Sequence, residues 1–531
     1  GLVVPADGPA DLPPVGIEPA GGVMRRRDSP GNPVVQATEF PQAGGHRVEK
    51  DEQDYIDAVR HKLIEAVDLR LEADVPVGCY LSGGIDSCSI MGLAAAASQN
   101  PVKAFTIGFD SDVYDETPIA TEMAKATNAD QEVLRIQSDH LYEFLEETLW
   151  HTERTIYNTL GVAKLLMSRR VREVNYKVVL TGEGSDELFG GYPAFRRDLM
   201  LHGLDDLPPD DRREWEALLA QSNEQFRGAM LAEDALEDSG FDDLMGFTPS
   251  CLQPWLSAGL RVPSLLHPAL RKELVEYQPG RAIAEALDAS ALEGRHALDK
   301  AQYVWIKTML EGQILTWGGD RVDMANSMEA RPAFLDHHLA EYAATLPPAM
   351  RIKGRTEKYV LREAMKGLLP ETLYKREKFA FMAPPAHSDP GKWAAMRRLA
   401  DTYLSDDAVE RAGILDAAGV RAIFDLHEAP GTTAATQVQL DAIINHMLGV
   451  QILNLKRLVN LPMDEGGGLR LQARAPAGAE WQDDNELMAC PNMRAAQIYI
   501  RPQTFARRPE VIARLVEHER IDQVIWREPR Q

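Results

Sequence analysis

Two apolar segments that each lead into a glycine-containing loop are the feature that most constrains the fold. The first segment, Val75–Leu81, leads into Ser82-Gly83-Gly84 and then into the helical stretch Ser87–Ala97. The second segment, Lys177–Leu180, leads into Thr181-Gly182-Glu183-Gly184. Strands that alternate with helices in this way are typical of a parallel sheet with helices on both faces. We therefore predict an α/β core whose ligands bind beyond the carboxyl ends of the strands.

The rest of the chain predicts a large helical part and a small tail. Amphipathic periodicity predicts helices at Asp51–Asp74, Thr117–Thr127 and Val162–Val174, and an apolar run predicts a strand at Val102–Phe109. Residues 204–245 are dense in acidic residues and helix formers, and the sequence from there to about Leu458 is mostly typical of helix. After a Gly-rich break, strand candidates at Ala496–Ile500 and Gln523–Trp526 surround a helix candidate at Pro509–His518.

Three parts follow from these patterns. Residues 1–50 are rich in Pro and Gly and predict a linker. Residues 51–460 predict the α/β core with its helical C-terminal half. Residues 465–531 predict a small α/β appendage of unassigned role.

Charge and composition exclude several classes of function. The formal net charge of −24 argues against an extended basic surface for nucleic acid. The four cysteines show no CxxC spacing, which favours reduced thiols and a cytoplasmic location. No run approaches the roughly 18 consecutive apolar residues of a membrane span, so we expect no membrane association.

The loop after the first strand carries groups suited to phosphate. Gly83 and Gly84 let the backbone approach a ligand closely, and the following helix N-terminus presents N–H groups to an anion. Ser82 and Ser87 add hydroxyls, and Asp86 can reach a magnesium ion. The alternative is an ordinary strand-to-helix turn with a serine cap. No lysine follows, so this is not the GxxxxGK[ST] phosphate loop.

The loop after the second strand places three carboxylates, Glu183, Asp186 and Glu187, within five residues. A solvated acidic turn is the alternative interpretation. However, the carboxyl ends of parallel strands meet at one edge of a sheet. Asp86 and Asp186 meeting there would form an oxygen-rich magnesium site.

The two loops, SGGIDS at 82–87 and TGEGSDELFGGY at 181–192, resemble the synthetase domain of glutamine-hydrolysing asparagine synthetases, a branch of the ATP-pyrophosphatase (PP-loop) enzymes. Further matches follow in the family's order: FTIGF at 105–109, DRVDM at 320–324, EARPAFLD at 329–336, KYVLR at 358–362 and KREKF at 375–379. The resemblance covers roughly residues 15–455. It implies a parallel-sheet core like that of the adenine-nucleotide α-hydrolases, with ATP and Mg²⁺ as cofactors.

The resemblance also implies roles for individual residues. Those matching the loop that grips the pyrophosphate of ATP are Ser82, Gly83, Gly84, Asp86 and Ser87. Those matching the adenosine pocket are Leu81, Ile107, Thr181 and Gly182, and those matching the magnesium ligands are Asp86 and Asp186. Lys378 matches a lysine that stabilises charge at the reacting phosphate, and Glu183 matches a glutamate that takes a proton from the incoming nitrogen. Four more residues match motif positions that support the site, by a structural salt-bridge network or by substrate contact: Asp320, Arg321, Arg331 and Asp336.

The implied activity is that of an asparagine synthase-type, AMP-forming carbon–nitrogen ligase. A small-molecule carboxylate, L-aspartate by default, is adenylated with release of pyrophosphate, and ammonia then gives the amide and AMP. Glu183 favours an ammonia-using enzyme, because the matching position in the related β-lactam synthetases resembles a tyrosine, which suits ring closure by an amine already in the substrate. The same chemistry on a sugar acid, a polyketide starter acid or a peptide carboxylate is an alternative. A tRNA-modifying PP-loop enzyme is disfavoured by the negative charge, and a catalytically dead scaffold by the intact carboxylates and Lys378.

The sequence departs from the family at both ends. No cysteine precedes Cys79, so we expect no glutamine hydrolysis from this polypeptide. Residues 1–50 are then a linker or the remnant of a glutaminase domain. The chain does not begin with methionine, which favours truncation upstream over use of free ammonia or of a partner's ammonia; a homodimer is left open. The stretch from Asn492 faintly resembles the end of type I phosphodiesterase domains, but it offers only His518 as a histidine, so we expect no phosphodiesterase activity.

Overall fold

The computed structural model describes residues 51–110, 114–203, 236–354, 356–375, 383–459, 471–473, 487–491 and 496–500. The chain divides into two compact units, Gly1–Gly449 and Val450–Gln531. Several predicted segments lie outside the described residues: the linker 1–50, most of the acidic stretch 204–245, the helix Pro509–His518 and the strand Gln523–Trp526.

Five parallel strands form the sheet of the first unit. They are β1 (Val77–Tyr80), β2 (Lys103–Phe109), β3 (Asp130–Ile136), β4 (Val178–Thr181) and β5 (Glu329–Pro332). Their order across the sheet is β3-β2-β1-β4-β5, and every neighbouring pair runs parallel. Cys79 of β1 pairs with Ala104 on one side and with Leu180 on the other. The parallel α/β core that the sequence predicts is confirmed.

Helices account for most of the remaining described chain. Around the sheet these are α1 (Glu52–Leu71), α2 (Ile85–Ala97), α3 (Thr117–Ala126), α4 (His140–Glu143), α5 (Leu145–Thr152), α6 (Leu160–Glu173), α7 (Ser185–Phe189) and α8 (Pro193–His202). Further along lie helices at Ser239–Met245, Gln253–Gly259, Val262–Leu265, Pro268–Glu273, Pro279–Ala286, Ala297–Trp305, Arg321–Met324, His337–Ala343, Pro348–Arg351, Tyr359–Ala364, Glu371–Lys375, Pro390–Tyr403, Asp406–Ala412, Ala417–Glu428 and Ala434–Val459. Two π-helical segments, Ile306–Ile314 and Thr316–Asp320, continue from the helix Ala297–Trp305.

Burial explains which strands the sequence reveals. Every residue of β4, and every residue of β2 after Lys103, is buried, as expected for inner strands covered on both faces. At the edge of the sheet, β3 is mostly half-exposed and carries polar residues, so it lacks an apolar run and the sequence did not predict it. The other edge strand, β5, ends at Pro332, which an edge tolerates because an unpaired side needs no N–H donor.

Two hydrophobic clusters fix the surroundings of the sheet. One joins α1, α2 and the inner strands to the segment Ala333–Leu373, with Val59, Leu63, Ile90 and Val360 fully buried. The other is built on α8 and the helix Ala297–Trp305 around Phe195. The first cluster seats α1 and α2 on the sheet, and the second places the helix Ala297–Trp305 beyond β4.

In the second unit, β7 (Leu487–Pro491) pairs with β6 (Leu471–Ala473) in parallel and with β8 (Ala496–Ile500) in antiparallel fashion. The strand that the sequence predicts at Ala496–Ile500 is therefore present. In the described part of the chain, no helix has the length and apolar character needed to cross a membrane.

Candidate active site

The site lies where the strand order reverses. From β1 the chain adds β2 and β3 on one side of the sheet and β4 and β5 on the other, so β1 and β4 flank the switch point. Open parallel sheets bind ligands at such points, beyond the carboxyl ends of the strands. A cavity of about 240 Å³ opens here, between the first loop (residues 81–87, after β1) and the second loop (residues 181–192, after β4).

The first loop is closed on itself by its two serines. The Ser82 N–H donates to Ser87 Oγ at 3.0 Å, the Gly84 N–H donates to Ser82 Oγ at 3.2 Å, and the two hydroxyl oxygens lie 2.9 Å apart. The Gly83 N–H faces an anionic oxygen, Glu116 Oε2, at 3.3 Å. Helix α2, thirteen residues long, begins at Ile85, within this loop. The loop therefore presents N–H and hydroxyl donors at a helix N-terminus, the arrangement that phosphate groups favour.

Gly182 lets the two loops come together. A Cβ on Gly182 would lie 2.9 Å from the backbone nitrogen of Ser87 and 3.1 Å from the carbonyl carbon of Asp86. Both distances are below ordinary van der Waals contact. The absence of a side chain at residue 182 is therefore what allows the second loop to lie against the start of α2.

A buried lysine lies between the two predicted magnesium ligands. Lys358 Nζ is 2.5 Å from Asp86 Oδ1 and 2.6 Å from Asp186 Oδ1, and its side chain is fully buried. Ser185 Oγ donates to the same Asp86 oxygen at 2.7 Å. Lys358 also has a φ of 55°, a left-handed conformation that costs a non-glycine residue free energy. The two aspartates thus meet as predicted, but around an ammonium group whose role the sequence did not indicate.

Glu187 extends this cluster. Its Oε1 accepts hydrogen bonds from the Tyr192 hydroxyl at 2.9 Å and from Trp305 Nε1 at 3.0 Å. Burial, together with the negative charge of Asp186, raises the pKa of Glu187 to about 7. The cluster therefore holds three carboxyl groups against one ammonium, and it retains negative charge for a further cation.

Glu183 belongs to a second polar cluster on the cavity wall. Its Oε1 accepts from Lys164 Nζ at 2.7 Å, and its Oε2 has no hydrogen-bond partner among the described residues. Burial would raise the pKa of Glu183, but the Lys164 charge and hydrogen bond outweigh it and hold that pKa below its usual value. Nearby, the Tyr80 hydroxyl donates to Asp323 Oδ1 at 2.7 Å, and burial raises the pKa of Asp323 to about 7. Glu183 is therefore ionised at neutral pH and keeps one oxygen available.

The remaining walls are apolar and aromatic. Leu81 and Ile107, predicted to contact adenosine, line the cavity together with Phe105 and Met167. Another part is formed by Trp305 and by residues of the π-helical segments: Met309, Ile314, Trp317 and Gly318. Such segments are frequent at functional sites. Thr181, at the end of β4, does not line the cavity.

The four predicted supporting residues do not line the cavity, and three of them hold other elements in place. Arg321 donates to the Thr152 carbonyl and lies 3.5 Å from Glu153. Arg331 donates to the carbonyls of Arg70 and Glu72 at 2.8 and 2.9 Å, at the end of α1.

Asp336 caps the helix His337–Ala343 and pairs with Arg70 at 3.1 Å. Asp320, at the end of a π-helical segment, acts on Asp323 through its charge. Arg321, Arg331 and Asp336 thus make structural contacts, and a supporting role at the site stays a prediction for all four residues.

Sequence reasoning missed Lys164, Asp323 and Lys358. Lys358 and Asp323 lie inside recognised motifs, but a motif does not say which partner a side chain meets. Lys164 lies in the first half of α6, and the residues around it in the sequence form no motif that indicates a function. The predicted catalytic Lys378 lies in residues 376–382, outside the described part of the chain.

The chain belongs to the asparagine synthase family, whose model matches residues 58–451. The amidase chyE of Penicillium rubens is 31% identical over 408 residues, which cover 71% of this chain and 59% of that protein. The amidase chry2 of Gibberella zeae is 32% identical, covering 63% of this chain and 53% of that protein. A glutamine-hydrolysing asparagine synthetase of Bacillus subtilis is 29% identical, covering 68% and 56%. The chain therefore spans little more than half the length of these curated relatives.

Proposed function

We propose that the chain catalyses ATP-dependent amide formation, in which a carboxylate is activated as an acyl-adenylate and then attacked by ammonia. One observation carries the proposal: a phosphate-type loop, a carboxylate–lysine cluster and an ionised glutamate face one cavity at the switch point of a parallel sheet. Membership of the asparagine synthase family and the names of its relatives, amidases and asparagine synthetases, support the same chemistry.

The first loop is suited to hold the phosphates of ATP. Backbone N–H groups at the start of α2 and the hydroxyls of Ser82 and Ser87 can donate to phosphate oxygens, and Leu81 with Ile107 offers an apolar wall for the base. The donor set also fits magnesium, because Asp86 and Asp186 supply hard oxygen ligands and Lys358 neutralises only part of their charge. When bound, the ion would offset negative charge on the phosphates.

Lys358 has two consequences for this chemistry. Its ammonium keeps Asp86 and Asp186 within a few ångströms of each other, which their mutual repulsion opposes. It also adds fixed positive charge beside the loop, where phosphate charge accumulates as the carboxylate oxygen attacks the α-phosphorus and pyrophosphate leaves. Lys378 keeps its predicted role at the reacting phosphate.

Glu183 is suited to accept a proton in the second step. When ammonia adds to the acyl carbon, the nitrogen becomes positively charged and must lose a proton before AMP leaves. Glu183 is ionised, lines the cavity, and has Oε2 without a hydrogen-bond partner among the described residues. Lys164 acts through Glu183 by holding its other oxygen in place.

The identity of the acid is the finer question. Aspartate is the family default, but its α-ammonium and α-carboxylate groups would both need charged partners. Among the described residues that line the cavity, Lys164 is the one lysine or arginine and is already paired with Glu183, so the α-carboxylate would lack a positive partner; Tyr157, Trp305 and Trp317 also line the wall. Burying charge without partners is costly. These walls favour our second candidate, an acid with an apolar or aromatic body.

Release of pyrophosphate and AMP tests the proposal. The chain would be assayed with ATP, ammonium and three groups of acids: aspartate, aliphatic monocarboxylates and aromatic carboxylates. We expect pyrophosphate and AMP in equal amounts with amide. Release of ADP and phosphate instead would overturn adenylation, and turnover of aspartate alone would overturn the second candidate.

A glutamate variant separates the two half-reactions. Glu183→Gln should retain acid-dependent ATP–pyrophosphate exchange and lose most amide formation, because the amide side chain cannot accept the proton. Glu311→Gln changes an exposed glutamate near Lys307 and should behave as the wild type. Normal amide yield from Glu183→Gln would remove Glu183 as the base while leaving adenylation untouched.

A further inference from the structure

Two histidines and an aspartate converge outside the cavity, on three separate elements. His387 lies in the 3₁₀ turn Ala386–Ser388, His427 near the end of the helix Ala417–Glu428, and Asp441 in the helix Ala434–Val459. The function proposed above uses none of them. Among the described residues, one nitrogen of each ring and a carboxylate oxygen lie within 4.8 Å of one another.

The distances are close to those of a shared metal ion. His387 Nδ1 lies 2.8 Å from Asp441 Oδ2, and His427 Nε2 lies 2.9 Å from Asp441 Oδ1. Ligand atoms about 2.1 Å from an ion are roughly 3.0 to 3.4 Å apart when they subtend angles between a right angle and the tetrahedral angle. Each of these two contacts would therefore widen by a few tenths of an ångström to hold an ion between the three groups.

The groups are held in orientation by their surroundings. Trp393 stacks on the His427 ring, with centroids 4.3 Å apart and planes at 19°. The His387 backbone N–H donates to Asp441 Oδ2 at 3.3 Å. His427 and Asp441 are buried, whereas His387 is 15% exposed and provides a route from solvent. Pre-oriented ligands with supporting contacts are characteristic of metal sites.

A neighbouring cavity supplies room for the remaining ligands. It encloses about 80 Å³ and is lined by Asp441 together with Asn445, Tyr142 and Lys392. Three protein ligands leave coordination positions that water can fill. Lys392 is the opposing charge in this cavity; burial lowers its pKa to about 7, so it is partly neutral at neutral pH.

We propose that His387, His427 and Asp441 bind one divalent transition-metal ion, with water completing its coordination. Two imidazoles and one carboxylate select borderline ions such as Zn²⁺, Co²⁺ or Fe²⁺ over Mg²⁺ and Ca²⁺, which prefer oxygen. In the metal-free protein both rings donate N–H groups to Asp441. Binding moves each of these protons to the other ring nitrogen and leaves the ligating nitrogen free for the ion.

The ion would act as a cross-link. It would tie the turn at 386–388 to two helices, and that turn follows closely after residues 376–382, which carry Lys378. Because the site and the cavity at the sheet edge share no residue, its test is independent of amide formation.

Metal content of the full chain tests the proposal directly. The protein would be stripped with chelator, mixed with one equivalent of Zn²⁺, dialysed and measured by mass spectrometry for zinc, with Co²⁺ absorption as a second readout. We expect about one ion per chain in the wild type and a loss of at least tenfold in affinity in His387→Gln, His427→Gln and Asp441→Asn. His446→Gln is the matched control, because His446 is a half-buried histidine of the same helix as Asp441 that pairs with Thr155 and not with Asp441.

The outcomes are distinct. Zinc below about a tenth of an equivalent in the wild type would overturn the proposal, and so would equal binding in the wild type and the three variants. If that equal binding were lost in Asp86→Asn, the ion would lie at the carboxylate cluster instead. Circular dichroism checks that each variant folds. If the fully buried His427→Gln does not fold, the half-buried His387→Gln decides by the same criterion.

Discussion

Replacing Gly191 with alanine would insert a methyl group into the contact between Asp186 and Lys358. A Cβ at this position lies 2.0 Å from Asp186 Oδ1 and 2.1 Å from Lys358 Cε. Ordinary contacts of carbon are about 3.5 to 4.0 Å, so these groups must move by more than about 1 Å. Gly191 is not among the glycines with positive φ. The cost therefore comes from the contact itself and not from backbone conformation.

The magnitude follows from two effects. Overpacking a well-packed interior costs about 1–3 kcal/mol. Breaking a buried ion pair by removing one partner costs about 3–5 kcal/mol, and here Lys358 is displaced rather than removed. We expect the free energy of unfolding to fall by about 2–4 kcal/mol. Since the same shift moves the ammonium away from the first loop, pyrophosphate release should fall at least tenfold.

Denaturant unfolding and pyrophosphate release would be measured side by side with a glycine control. Gly259→Ala is suitable, because a Cβ there meets no heavy atom within 4 Å and the residue has no positive φ. We expect Gly259→Ala to match the wild type in both assays. If Gly191→Ala also matched it, the described contact between Asp186 and Lys358 would not exist in the folded protein.

Three further predictions concern the two polar clusters. Lys358→Met should lower the free energy of unfolding by about 3–5 kcal/mol, because it leaves two buried aspartates facing each other; a melting temperature equal to that of the wild type would contradict this. Lys164→Met should move the acidic limb of the amide-formation pH profile to higher pH, because Lys164 holds the pKa of Glu183 low. Lys164→Arg should restore the profile. An acidic limb that does not move in Lys164→Met would show that Lys164 does not set the pKa of Glu183. Folding raises the pKa of Asp323 from 3.8 to about 7. The contribution of this carboxyl group to the free energy of unfolding is therefore fully present below about pH 4, and it is lost as the pH rises towards 7. Urea unfolding from pH 4 to 8 should show that decline, and Asp323→Asn should reduce it; parallel curves would refute the assignment.

Local sequence was sufficient for the inner part of the sheet. β1, β2 and β4 are short, mostly apolar runs bounded by glycine or by polar residues, and burial on both faces explains this composition. The helices α1, α2, α3 and α6 have observed bounds within three residues of those predicted. The strand β3 was missed because a half-exposed edge strand carries no such run.

The sequence also determined which loops bear the chemistry. The two loops join residues close in the chain, and the rule that parallel strands present their carboxyl ends together was enough to bring Asp86 near Asp186. That inference needed the direction of the strands and not their side-chain packing.

Only the tertiary structure decided what lies between those carboxylates. Lys358 is 272 residues from Asp86, and it arrives through the packing of the segment Ala333–Leu373 against α1 and α2. Glu183 acquires its charge from Lys164 and not from its own loop, and the histidine pair reaches Asp441 from two other elements. Periodicity and turn chemistry act over a few residues, so they specify strands, helices and loops. Contacts between buried charges depend on how those elements pack, which no local pattern contains.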